Sequence, residues 1–220
     1  METHQTVNNN SIYFMKILES NKYLDDLFKR INNIYPDNIP LGDEDYYATE
    51  QYENLLKILD SSQYDDDWTN WIMMLKMNKQ FSVIDFSTYS ICSPCRKVSI
   101  GYSENGIFYE IKILFSLIAP LYIVKVCELK NTIMGLCLID FSNIFISLSK
   151  NEKEILINNK GIPIQTLENI CTFLSIQQFF PRYTFFPQKL MNEVAPNKYI
   201  NQVNKGCSTI FHLIFNDHEF

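Results

Sequence analysis

Cys92-Ser-Pro-Cys95 is the stretch of this chain whose residue types and spacing come nearest to a chemical motif. Two thiols three positions apart can close a small redox disulfide. Cations beside them, here Arg96 and Lys97, lower a thiol pKa toward the reactive thiolate. A redox C-x-x-C opens a helix inside a βαβ layout, whereas the residues from Val98 onward alternate like a strand. The pair therefore reads as a turn with two half-buried cysteines that leads into a sheet. As half of a zinc site it lacks partners. Cys127 and Cys137 lie ten apart, and His4, His212 and His218 are the only histidines. There is no G-x-S-x-G, no H-E-x-x-H and no Gly-rich phosphate loop. His212, within the apolar run Ile210 to Phe215, reads as a packed or surface histidine. No cofactor and no metal is expected.

Charge is more informative than any nucleophile. Between Asp43 and Asp67 stand nine acids, Asp43, Glu44, Asp45, Glu50, Glu53, Asp60, Asp65, Asp66 and Asp67, against Lys57 alone. The other 195 residues hold 16 acids and 18 bases, so the net charge of −6 arises from one stretch. Tyr46, Tyr47, Tyr52, Tyr64, Trp68 and Trp71 are interleaved with those acids. Aromatic contact area beside carboxylates is the anatomy of a protein interface for a basic partner. The candidate partner-binding residues are Asp43, Glu44, Asp45, Tyr64, Asp65, Asp66, Asp67 and Trp68. The competing reading places Asp65-Asp66-Asp67 at a helix N-terminus, where the macrodipole favours acids, with the tryptophans in the core. On sequence, capping accounts for that triplet only. Neither acid group has the spaced loop and glycine of a calcium site.

An acidic chain neutralises phosphates poorly, so nucleic-acid binding is disfavoured. The uncharged run Ile113 to Val124 is twelve residues and contains Pro120, too short for a membrane span. No signal peptide is evident, and the six cysteines read as reduced thiols of a cytoplasmic protein.

The elements that must position these residues follow from periodicity. Leu24, Leu27, Phe28, Ile31, Ile34 and Tyr35 form a helical stripe closed by Pro36 and Pro40. Tyr52, Leu55, Leu56 and Leu59 form a second, and Trp68, Trp71, Ile72 and Leu75 a third. Near Phe81 the period falls to two. Val98, Ile100 and Tyr102, then Ile107, Tyr109, Ile111 and Ile113, flank Asn105-Gly106, a two-residue hairpin turn. That turn pairs Tyr102 with Tyr109, Ile100 with Ile111 and Val98 with Ile113. Leu121 to Cys127 supplies another strand, and Gly135 to Leu148 one or two more. Helical spacing returns with Leu167, Ile170, Cys171 and Leu174 after Pro163 and stops at Pro181. Ser208 to Phe215 fits a helix or a strand. The whole chain, 1–220, reads as one α+β domain in which an antiparallel β-meander is packed by N-terminal and C-terminal helices. Residues 1–80 are mainly helical, 81–150 form the sheet, and 151–220 are mixed and helix-rich.

As a profile over the whole chain, this sequence resembles bacterial immunity proteins, the antitoxin partners of polymorphic or contact-delivered toxins. The acidic, aromatic Asp43–Asp67 segment, the meander around Asn105-Gly106 and the terminal Ser208-Thr-Ile-Phe-His-Leu-Ile-Phe-Asn-Asp carry the likeness. The resemblance implies a non-catalytic inhibitor that holds a cognate toxin, a basic protein such as a nuclease or another nucleotide-directed enzyme. Two alternatives are a thiol-dependent redox protein using Cys92 and Cys95, and an adaptor subunit of a bacterial assembly.

Overall fold

The computed structural model describes residues 22–62, 65–87, 94–132, 135–138, 143–146, 155–158, 169–170, 172–187, 190–200 and 208–215; from 128 to 158 it describes backbone pairing alone. Helix α1 runs through 22–32. A 3-10 helix, Glu44–Ala48, leads into α2, Glu50–Ser62, and α3, Asp66–Met77. Seven strands follow: β1 Phe81–Asp85, β2 Cys95–Glu104, β3 Ile107–Ser116, β4 Leu121–Thr132, β5 Gly135–Leu138, β6 Asn143–Ile146 and β7 Ile155–Asn158. Helical residues 169–170 and 172–174 (α4) precede α5, Ile176–Phe179, strand β8, Thr184–Phe185, and α6, Ile210–Phe215.

The eight strands make one sheet in the order β1-β2-β3-β4-β6-β7, with β5 and β8 also on β4. Only the β4–β8 pairing is parallel. This is the expected α+β architecture, an antiparallel meander flanked by helices. The hairpin register is the expected one, with Tyr102 opposite Tyr109, Ile100 opposite Ile111 and Val98 opposite Ile113. Asn105 (φ 53°) and Gly106 (φ 79°) both adopt the left-handed backbone that this turn requires.

Strand alternation divides the interior into two layers. On one face, Val98, Ile100 and Tyr102 of β2, Ile111, Ile113 and Phe115 of β3 and Tyr122, Val124 and Val126 of β4 pack against α3 and the α4–α5 segment. On the other, Cys95, Leu114, Leu121 and Ile123 meet α1, α2 and α6. Trp71 joins the helices of the first layer, its indole N–H donating to the Leu174 carbonyl at 2.7 Å. In the second layer Tyr35 donates to the Leu213 carbonyl (2.8 Å) and Tyr46 to the Ile34 carbonyl (3.1 Å). Buried Lys198 ties the loop after α1 to the C-terminal segment, reaching the Tyr35 carbonyl at 2.6 Å and Asp37 at 2.7 Å.

Three expectations change, and one open stretch is settled. Leu56 is exposed, because it lies a helical step beyond Leu55 on the outer arc of α2, while Leu55 and Leu59 are buried. The single helix expected before Pro181 is interrupted at Ser175, whose φ is 49°; Leu167 and Cys171 lie outside the described residues. Ile155–Asn158 is a strand within the segment read as helix-rich, and four residues are too few for periodicity to show it. Ser208 to Phe215 resolves into the short helix α6. Its Ile210, Phe211, Leu213, Ile214 and Phe215 are all buried, so no polar face marks its period.

Two tests follow. Gly106→Ala has open space for a methyl group but must hold φ at 79°, so it should cost about 1 kcal/mol in urea denaturation. Burial, and then the Tyr46 and Cys95 charges, hold the Tyr35 phenol well above its ordinary value near 10. Burial, then Tyr52 and Tyr47, raise Tyr46 as well. The folded state thus keeps these protons more tightly than the unfolded chain does. The stability they contribute is complete below about pH 10 and declines as the pH rises past it, by up to about 1.4 kcal/mol per pH unit for each group. Denaturation midpoints measured from pH 8 upward should fall in that window, and less steeply in Tyr35→Phe.

Candidate functional site

The acidic stretch folds as three successive helix starts. Asp43 caps the 3-10 helix, accepting from the Asp45 N–H at 3.2 Å, with Glu44 and Asp45 in its first turn. Glu50 and Glu53 occupy the first turn of α2. Asp65 caps α3, accepting from the Trp68 N–H at 3.1 Å, with Asp66 and Asp67 behind it. Every acid of the stretch except Asp60 therefore sits where unsatisfied N–H groups and the helix dipole favour a carboxylate. This corrects the sequence expectation that capping accounts for the Asp triplet alone: proximity in sequence hid two further helix starts.

Asp65 has a second role, in holding the fold together. Its carboxylate pairs at 2.7 Å with Arg96 of β2, whose side chain is 4% exposed. The same guanidinium donates to the Ser62 carbonyl at the end of α2 (2.5 Å) and lies 5.0 Å from the centre of the Trp68 ring. Arg96 thus closes the corner between α2 and α3, a planar donor fork meeting a carboxylate, a carbonyl and a ring face. Nothing in the acid count pointed to it. The signal lay in strand alternation, which puts Arg96 on the face of Val98 and Ile100, where a cation needs a buried partner.

Trp68 is likewise not a contact residue. It is 4% exposed, packs on Trp71, Phe115 and Phe180, and donates its indole N–H to Asp85 at 3.0 Å. A two-sided apolar ring beside the sheet is buried by the same layer that holds Trp71. Tyr46 is also core, whereas Tyr47 is exposed. Tyr64 lies outside the described residues. What faces solvent is a set of carboxylates, Glu44, Asp45, Glu50, Glu53, Asp60, Asp66 and Asp67, with Tyr47 and Leu56 among them. The α2 positions fall on one outer arc of the helix. The 13 residues of α2 separate its two acidic ends by about 20 Å, within one interface of ordinary size.

The thiols are built differently. Cys95 is a buried cysteine at the first position of β2, in no disulfide among the described residues, and Cys92 lies outside the described residues. Burial pushes the Cys127 thiol up, against the opposing pull of Lys125. Burial of this kind suits packed cysteines rather than reactive thiolates. Among the described residues no group of three or more His, Cys, Asp or Glu could hold a metal ion. His212 is half-buried in α6, its Nδ1 3.0 Å from the Thr209 hydroxyl. His4, His218 and Cys137 fall outside the described side chains. No helix among the described residues is long and apolar enough to cross a membrane.

Compared with protein-family models, with curated proteins and with solved structures, this chain matches none.

The two classes of acid separate by mutation. Asp65→Asn keeps the cap but strands a buried guanidinium. It should cost about 2 kcal/mol in chemical denaturation, less than a fully enclosed pair because Asp65 is 35% exposed. Asp66→Asn and Asp67→Asn should each stay under about 1 kcal/mol, the scale of a helix-dipole contact.

Proposed function

We propose that this chain is a non-catalytic inhibitor of the immunity type, which holds a basic protein toxin in the cytoplasm through the solvent-facing carboxylates of the 3-10 helix, α2 and the start of α3. One observation carries the reading. Helix dipoles account for acids in first turns, but they equally favour bases in last turns. The 3-10 helix and α2 have acidic first turns and no base in their last turns. Local helix chemistry therefore leaves the acidic first turns of the 3-10 helix and α2 without bases in their own last turns, and an exposed negative field of this kind speeds and orients association with a cationic partner.

The docking residues in this reading are Glu44, Asp45, Asp66 and Asp67, with Tyr47 as the exposed aromatic. Asp65 and Trp68 support them from beneath. The test is a fourfold variant, Glu44→Gln, Asp45→Asn, Asp66→Asn and Asp67→Asn, which spares Asp65 and so keeps the fold. Affinity capture from the native source should retain a basic protein on the unaltered chain. That protein should be released by about 0.5 M salt, where screening is nearly complete, and should not bind the variant. Co-expression with the captured protein should protect cells only when the carboxylates are present. Equal capture by the variant, or a captured protein whose toxicity the chain leaves unchanged, overturns the assignment.

A further inference from the structure

The outer edge of β1 has features that neither the core nor the acidic surface explains. β1 is first in the strand order, and among the described residues it pairs with β2 alone. The ladder parity can be worked out. Phe86 donates its N–H to the Lys97 carbonyl at 2.8 Å, so Phe86, Ile84 and Ser82 turn their backbone groups toward β2. Val83 and Asp85 then direct theirs away from the sheet, while the Phe81 N–H is taken by the Asn78 carbonyl at 3.0 Å. Natural edge strands are blunted by lysine, proline or a bulge. Phe81-Ser-Val-Ile-Asp85 has none of these three, its five residues carry one charge, Asp85, at the end, and its register with β2 is unbroken. Ile84 is 52% exposed and Phe86 49%, on the same face of the strand.

Charge indicates what fits this edge. β1 runs back along α3, since the Trp68 indole at the start of α3 reaches Asp85 at the end of β1. The α3–β1 unit is therefore polarised end to end. Asp66, Asp67 and Asp85 lie at one end, Lys76 and Lys79 at the other. Antiparallel pairing of two identical strands requires a two-fold axis across the edge. That axis places the acidic end of each copy against the basic end of the other. We infer that the β1 edge is a self-association surface, pairing with β1 of a second copy to continue the sheet through a two-fold dimer. The inference does not depend on the inhibitor reading, because it is measured with no partner present. Asp66 and Asp67 belong to both surfaces, so pairing of copies and docking of a toxin compete at that end.

The experiment is sedimentation velocity on the full chain over about 1–200 μM, the range of small interfaces. The unaltered chain should pass from monomer to dimer, with weaker association at high salt. A Lys76→Glu, Lys79→Glu variant and an Asp66→Lys, Asp67→Lys variant should each lose dimerisation by tenfold or more in Kd. Mixed together they should form a one-to-one dimer, since each supplies the charge that the other has lost. Ile84→Lys, whose backbone bonds to β2 are untouched, should also be monomeric with an unchanged circular dichroism spectrum. It decides the matter if the aspartate reversal weakens α3. An unaltered chain that stays monomeric across the range overturns the inference. So do dimers indifferent to these substitutions, or a mixture that remains monomeric.

Discussion

Arg96 stands at the point on which the arrangement of layers turns. Its guanidinium is enclosed, and a buried cation is tolerated only when paired and hydrogen-bonded. Ser62, at the end of α2, and Asp65, the cap of α3, supply those partners. The α2 side chains belong to one face of the sheet and the α3 side chains to the other. Arg96 therefore fastens the end of α2 on one face to the start of α3 on the other. Trp68 follows in the next turn and lies against the same guanidinium, so the electrostatic clamp and the aromatic layer are one construction.

This clamp changes the meaning of the acidic stretch. A run of carboxylates looks uniform as charge, but its members do different work in three dimensions. Asp65 holds the fold, and Asp43 closes a local turn. Glu44, Asp45, Glu50, Glu53, Asp66 and Asp67 lie in first turns with their carboxylates in solvent. The dipole explains why acids are acceptable at these places and not why the last turns of the 3-10 helix and α2, unlike that of α3 with Lys76, hold no base. That asymmetry is the part of the electrostatics that helix-end chemistry leaves unexplained.

Legibility varied with how local the governing physics is. The β2–β3 hairpin was readable to the residue, because a two-residue Asn-Gly turn and strict alternation leave one register in which apolar side chains share a face. Trp68, Trp71, Ile72 and Leu75 were readable as a buried stripe for the same kind of reason. Leu56 and α6 were not. A lone leucine on a helix can face either way, and a six-residue segment apolar but for His212 is too short to show a period. Among the candidate site residues, the acids of the first turns lie in solvent, as a contact surface needs, but Trp68 is enclosed. An aromatic beside carboxylates has the same sequence signature whether it faces a partner or the core.

Composition, periodicity and turn chemistry in this chain determine an α+β protein with an antiparallel meander, helical flanks and one strongly acidic segment. Those properties arise from interactions between residues near in sequence: alternation, helical spacing, turn dihedrals and helix-end charge. Tertiary structure alone decided which acid pairs with Arg96, which aromatics are enclosed, and that β1 stands at one edge of the sheet. Those outcomes depend on contacts across long separations, such as Asp65 to Arg96 and Trp71 to Leu174. No local pattern specifies them, because the cost of burying a charge or an indole is set by what the rest of the chain brings to meet it.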